Sequence, residues 1–101
     1  MYACNVKVKL KTDCAEKFRR VFEEKVDPLL RRQNGFRDAI SLVAPHRHEA
    51  TLISLWANQE DADAYNHVAY LDVLRLLSNL VERMPKVETF EVVDLSPASA
   101  F

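Results

Sequence analysis

The run Ala50–Trp56 (ATLISLW) is apolar on both sides: extended, it puts Leu52 and Trp56 on one face and Ile53 and Leu55 on the other. Side chains alternate between the two faces of a strand, so this strand needs two covers, one from the helices of its own chain and one from something else. The flanking segments have to supply the first.

Three other segments read as strands. From Tyr2 to Leu10, Cys4, Val6, Val8 and Leu10 are apolar while Lys7 and Lys9 are charged, the period-2 pattern of a half-buried strand. Phe36–Ala44 (FRDAISLVA) precedes the central run, and the short polar connector PHRHE between them favours an antiparallel hairpin. Val87–Asp94 (VETFEVVD) alternates again, with Phe90 and Val92 on one face.

Two helical stretches separate these strands. Thr12 or Asp13 can cap the first, with Glu16 and Lys17 in its first turns, and Phe18, Val21, Phe22, Val26 and Leu29 recur at helical spacing. Pro28 removes one intrahelical bond, which predicts a kink or a new short turn capped by Asp27. Asn34-Gly35 ends the stretch, Gly35 being the only glycine and the natural left-handed residue after a helix. Asn58 caps a second, short helix through Ala62, Ala64 and Tyr65, with acids in its first turn. A longer helix follows, with Tyr70, Leu74, Leu77 and Val81 in one stripe and Val73, Leu76 and Leu80 beside it, ended by Met84-Pro85.

The order strand, helix, strand, strand, helix, strand predicts an α+β, ferredoxin-like βαββαβ domain with a four-stranded antiparallel sheet. A chain of 101 residues suits one such domain. Both helical layers would cover one sheet face. A homodimer pairing sheet to sheet is the simplest cover for the other.

Composition removes several classes of function. The net charge is −1 and the cations are spread along the chain, which argues against a nucleic-acid partner. No apolar run approaches the roughly 20 residues that span a bilayer. The N-terminus MYACNVKVKL alternates, unlike a signal peptide, so a cytoplasmic location and no membrane partner are expected. Cys4 and Cys14 have no metal-ligand spacing and read as free thiols. His46 and His48 sit at i and i+2 with only Glu49 nearby, a solvated turn rather than a metal site.

The stretch LISLWANQEDADAYNHVAY (52–70) joins the third strand to the helical layer and holds the candidate chemistry. Trp56 offers a flat apolar surface with one N–H, and Tyr65 and Tyr70 offer phenols. His67 is the one side chain in the stretch whose ordinary pKa, about 6.5, lies near neutrality. Arg75, further along the helix, is suited to steadying an enolate or phenolate. A purely structural role is open for each: core packing for Trp56 and Tyr70, solvated positions for His67 and Arg75.

Gly35-Phe36 opening the second strand, the strand ending LISLW, the segment WANQEDADAY and the closing FEVVD together resemble the antibiotic-biosynthesis monooxygenase (ABM) family of dimeric α/β-barrel proteins. The resemblance spans about residues 2–94, implying a single ABM-like domain with a C-terminal tail at 95–101. It implies a cofactor-independent monooxygenase acting on a small aromatic, phenolic or quinone-type metabolite; among the residues above, the candidates for that chemistry are His67, Trp56 and Tyr65 as catalytic groups and Tyr70 and Arg75 as substrate contacts. Such chemistry needs an apolar cavity, a base or acceptor, and donors for the developing anion. It needs no metal or flavin. The alternative is a non-catalytic or stress-related small-molecule-binding dimer of the same fold. The chain departs from the haem-degrading members, whose asparagine, tryptophan and histidine positions fall on Val6, Tyr65 and Arg75.

Overall fold

The computed structural model describes residues 1–83 and 85–93. The strands are β1 (Tyr2–Lys9), β2 (Phe36–Ala44), β3 (Glu49–Trp56) and β4 (Lys86–Glu91), and the helices are α1 (Ala15–Val21), α2 (Asp27–Arg31), α3 (Gln59–His67) and α4 (Ala69–Leu77). The sheet runs β2-β3-β1-β4 with every pair antiparallel, the ferredoxin-like order.

Alternation sorts the strands onto two faces. Cys4, Val6 and Val8 of β1 and Ala50, Leu52, Ser54 and Trp56 of β3 are buried, and the register pairs Val6 with Leu52 and Cys4 with Ser54. They meet the helical layer, which contributes Phe18, Val26, Leu30, Tyr65, Val73 and Leu77 to the same core. Asn5, Lys7, Ile53 and Leu55 occupy the opposite face, so Val6 and Asn5 part company as the pattern predicts. On that face Ile40, Leu42 and Phe90 are 47%, 53% and 49% exposed.

The element ends correct several expectations. The first helical stretch changes its winding ahead of Pro28. The proline has no N–H for Glu24's carbonyl, and the chain winds wider before it, as a π-turn over Phe22–Val26 in which the Asp27 N–H reaches Phe22's carbonyl. Asp27 lies inside α2 and is no cap; its carboxylate accepts from Arg31 Nε at 2.8 Å. Neither Thr12 nor Asp13 caps α1: the N-cap is Cys14, whose carbonyl accepts from Phe18's N–H at 2.9 Å, while Asp13 turns the chain at φ 62. The last helix ends at Leu77, not at Met84-Pro85. Leu80 and Val81 keep the apolar spacing but are buried in a turn, where Lys11's N–H donates to Leu80's carbonyl and Val81 bridges Leu10. Strand β4 closes at Glu91; Asp94 and the tail lie outside the described residues.

Two turns place the start of α3 and the end of β3. Gly35 adopts φ +77, and a Cβ there would run into the Asp61 carboxyl group, so both its backbone and its bareness are used. Its carbonyl accepts from Ala57's N–H at 2.8 Å. The register then slips between Phe36 and Asp38, and this bulge lets Phe36 face the helices while Asp38, two residues on, pairs with Leu55.

Candidate functional site

Trp56 ends β3 on the helix-covered face and is wholly buried. Its indole N–H donates to Ser54 Oγ at 2.9 Å, so the buried donor and the buried hydroxyl satisfy each other. Phe36 meets the indole edge-on, with centroids 5.7 Å apart and planes at 78°. Tyr65 stacks on it at 4.7 Å and 25°, and Tyr70 lies 6.1 Å from Tyr65, tilted by 59°.

The positions of the two tyrosines follow from local sequence. Asn58 caps α3 by accepting from Asp61's N–H at 2.9 Å, which fixes the helix start beside Gly35 and turns Ala62 and Tyr65 inward. Val68, at φ −121 and ψ −71, breaks the helix between α3 and α4. After that corner Ala69, Tyr70, Val73 and Leu77 form the buried stripe of α4.

The structure brings Trp56, Tyr65 and Tyr70 together but not His67 or Arg75. His67 follows Tyr65 by two residues, about 200° around a helix, and is exposed, with Nδ1 donating to Asp63's carbonyl at 2.7 Å. That bond leaves Nε2 to accept in the neutral ring. Arg75 is exposed, pairs with Asp72 at 3.1 Å, and borders a groove of about 520 Å³ shared with Lys25, Leu29 and Arg32. Neither that groove nor a second one, beside Lys7 and Arg83, is lined by the aromatic stack.

Three further residues join the stack, of which periodicity placed only Cys4 on the inward face. Cys4 is buried on β1 opposite Ser54, with the Asn66 and Ser54 side chains in hydrogen-bonding reach of its thiol. Burial pushes the thiol's pKa up, against the lowering pull of those two neighbours and with Asp63 adding to the rise, so it stays protonated at neutral pH. Ser54 was detectable in principle, as the one hydroxyl on the inward parity of β3. Asn66 carried no signal, since a residue beside Tyr65 belongs to no apolar stripe.

The decisive observation concerns unpaired atoms. The hydroxyls of Tyr65 and Tyr70 and Oδ1 of Asn66 are buried without a protein partner. Each such group costs about 1–3 kcal/mol while unpaired, a large sum for one small domain. Burial holds both phenols neutral: Tyr70 is pushed up to about 12, and Tyr65, raised by burial first and by Cys4 and Tyr70 next, lies higher still. At pH 7 both are hydrogen-bond donors and neither is a base.

Comparison with known proteins agrees with this frame. A putative antibiotic biosynthesis monooxygenase from Nitrosomonas europaea superposes with a TM-score of 0.74 at 21% identity, covering 93% of this chain and all (100%) of that one. SnoaB, a cofactor-independent oxygenase from Streptomyces nogalater, gives 0.75 at 17% identity, over 95% and 96% of the two chains. A putative antibiotic biosynthesis monooxygenase from Bordetella bronchiseptica gives 0.76 at 14%, over 91% and 96%. No functionally curated protein sequence matches the chain. The family model for antibiotic biosynthesis monooxygenase matches residues 1–73, and the chain belongs to that family.

Proposed function

We propose that the protein is a cofactor-independent monooxygenase of a small hydroxylated aromatic or quinone-type metabolite, bound between the sheet and the α3–α4 corner. The observation that carries this is the set of unpartnered buried polar atoms on Tyr65, Tyr70 and Asn66, the first of which stacks its ring on the Trp56 indole. In this reading they supply the polar contacts of an aromatic site. Family membership and the likeness to SnoaB, described as a cofactor-independent oxygenase, support the reaction class.

In this reading the aromatic body packs against Trp56 and Phe36, and the Tyr65 and Tyr70 hydroxyls donate to the substrate oxygen. Donors aimed at that oxygen favour the anion over the neutral substrate. The anion passes one electron to O2, and the two radicals join in a C–O bond. The resulting hydroperoxide loses water to leave a carbonyl, so that a ring methylene and dioxygen become a ring carbonyl and water. One oxygen atom stays in the product and the other departs with both methylene hydrogens. His67 and Arg75 lie outside the buried stack, so in this reading the substrate proton passes to solvent and neither side chain touches the reacting atoms.

A second reading is favoured by one contact. Tyr65 already covers the indole face that a flat ligand would use. The same dimer would then be a non-catalytic binding protein in which Tyr65 swings aside for the ligand. The chain's single tryptophan makes the choice measurable, since its fluorescence reports on this site alone. Saturable quenching by an anthrone or naphthol together with oxygen uptake supports the enzyme; quenching without uptake supports the binder; no quenching contradicts both.

The open sheet face carries a proposal of its own. Ile40, Leu42 and Phe90, with half-buried Ile53 and Leu55 between them, form an apolar surface on the face away from the helices. A second copy, sheet against sheet, is the cover we assign to it.

A further inference from the structure

The cations of the open face gather at one end of the strands, where exposed Leu42 pairs with Thr51. The apolar residues of that face include Ile40, Ile53, Leu55 and Phe90, whereas the end that bears the β2–β3 hairpin carries Lys7 and Lys9 of β1, Lys86 of β4 and, from the adjoining turns, Arg47 and Arg83. Those five cations line one groove of about 640 Å³, with Glu49 as its single acid. The whole chain has 14 cations and 15 acids. Five against one around one concavity is therefore local segregation, not a reflection of composition.

Like charges held around a concavity repel, and the field they share is focused there. Among the described residues none of the five is in an ion pair; the pairs formed are Arg19–Glu16, Arg31–Asp27 and Arg75–Asp72. Lys9 is instead held in place by donating to Arg47's carbonyl at 2.7 Å, which fixes one ammonium at the hairpin. The two arginines supply planar forks suited to phosphate or carboxylate, the lysines supply point charges, and Thr51 adds a hydroxyl. The lining contains no aromatic side chain on which a nucleobase could stack. The groove also stands apart from the Trp56 stack, so this site is independent of the reaction proposed above.

We propose that the groove framed by Lys7, Lys9, Arg47, Arg83 and Lys86 binds a small, multiply charged anion, bearing phosphoryl groups or several carboxylates. Calorimetric titration of the full chain at low ionic strength with inorganic pyrophosphate and with tricarballylate tests it. Saturable binding of either at one per chain is expected, the stronger of the two naming the phosphoryl or the polycarboxylate source. The double variant K7Q/K86Q should weaken that binding at least tenfold with an unchanged melting temperature. The control K17Q/R20Q, which removes two exposed cations from α1, should leave it intact. Absence of saturable binding, or an equal loss in the control, overturns the proposal. So does a K7Q/K86Q variant whose only change is the oligomeric state, which would assign the cations to contact between copies.

Discussion

Tyr65 is where stability and function pull apart. Its hydroxyl is buried and unpartnered, yet its ring stacks on Trp56. Tyr65→Phe keeps the ring and removes the orphaned group, so the unliganded protein should melt at the same temperature or higher. Aromatic-ligand affinity, read from Trp56 fluorescence, should fall about tenfold, the worth of one hydrogen bond to a charged oxygen. A variant that melts several degrees lower would show that the hydroxyl is satisfied within the fold. The same burial sets a pH dependence. A phenol whose folded pKa lies above its unfolded value contributes stability that is complete below the unfolded pKa, about 10, and is lost as pH climbs toward the folded value. Tyr70, at about 12 in the fold, and Tyr65, higher, should therefore make stability fall between pH 10 and 12, after an earlier contribution from Cys4. Denaturant unfolding across that range should show a smaller loss in Tyr65→Phe than in the parent.

Among the elements, the turn that seats α3 against β3 rests on one glycine and one cap. Gly35→Ala puts a methyl group into the Asp61 carboxyl at φ +77 and should cost about 1–3 kcal/mol. Asn58→Ala should cost about 1 kcal/mol through loss of the bond to Asp61's N–H. Urea unfolding of the two singles and the double measures both costs, and also their coupling, since both substitutions act through Asp61. The elements were legible to different degrees for identifiable reasons. Period-2 alternation located the first and last strands, and the apolar run and short polar connector located the two between them. The end of α4 was not legible, because Leu80 and Val81 satisfy helical spacing while sitting in a turn that answers to Lys11 and Leu10, far away in sequence. The candidate site divided in the same way. Trp56, Tyr65 and Tyr70 are large apolar rings and betray their burial, whereas His67 and Arg75 were grouped with them by nearness along the chain, which a helix resolves onto other faces. Cys4 and Asn66 reach the site from β1 and from the flank of α3, a convergence that exists only once the sheet has formed.

At the scale of the whole molecule, the apolar half of the open face should hold two copies together. Light scattering is expected to give about twice the 11.6 kDa of one chain, and Ile40→Asp or Phe90→Asp, which put charge on exposed apolar positions of that face, should yield monomers with an intact fold. A parent protein that is monomeric at micromolar concentration would contradict this. The proposed oxidative chemistry and the proposed dimer are separable, because the aromatic stack lies on the opposite side of the sheet from the proposed contact. In the proposed function the buried Trp56–Tyr65–Tyr70 cluster binds a hydroxylated aromatic and favours its anion for reaction with oxygen. The most direct test is oxygen uptake by purified protein with an anthrone, comparing the parent with Tyr65→Phe of equal thermal stability. Uptake of one O2 per substrate is expected in the parent, reduced at least tenfold in the variant; uptake at the protein-free rate, or equal in both proteins, would contradict that role for the cluster.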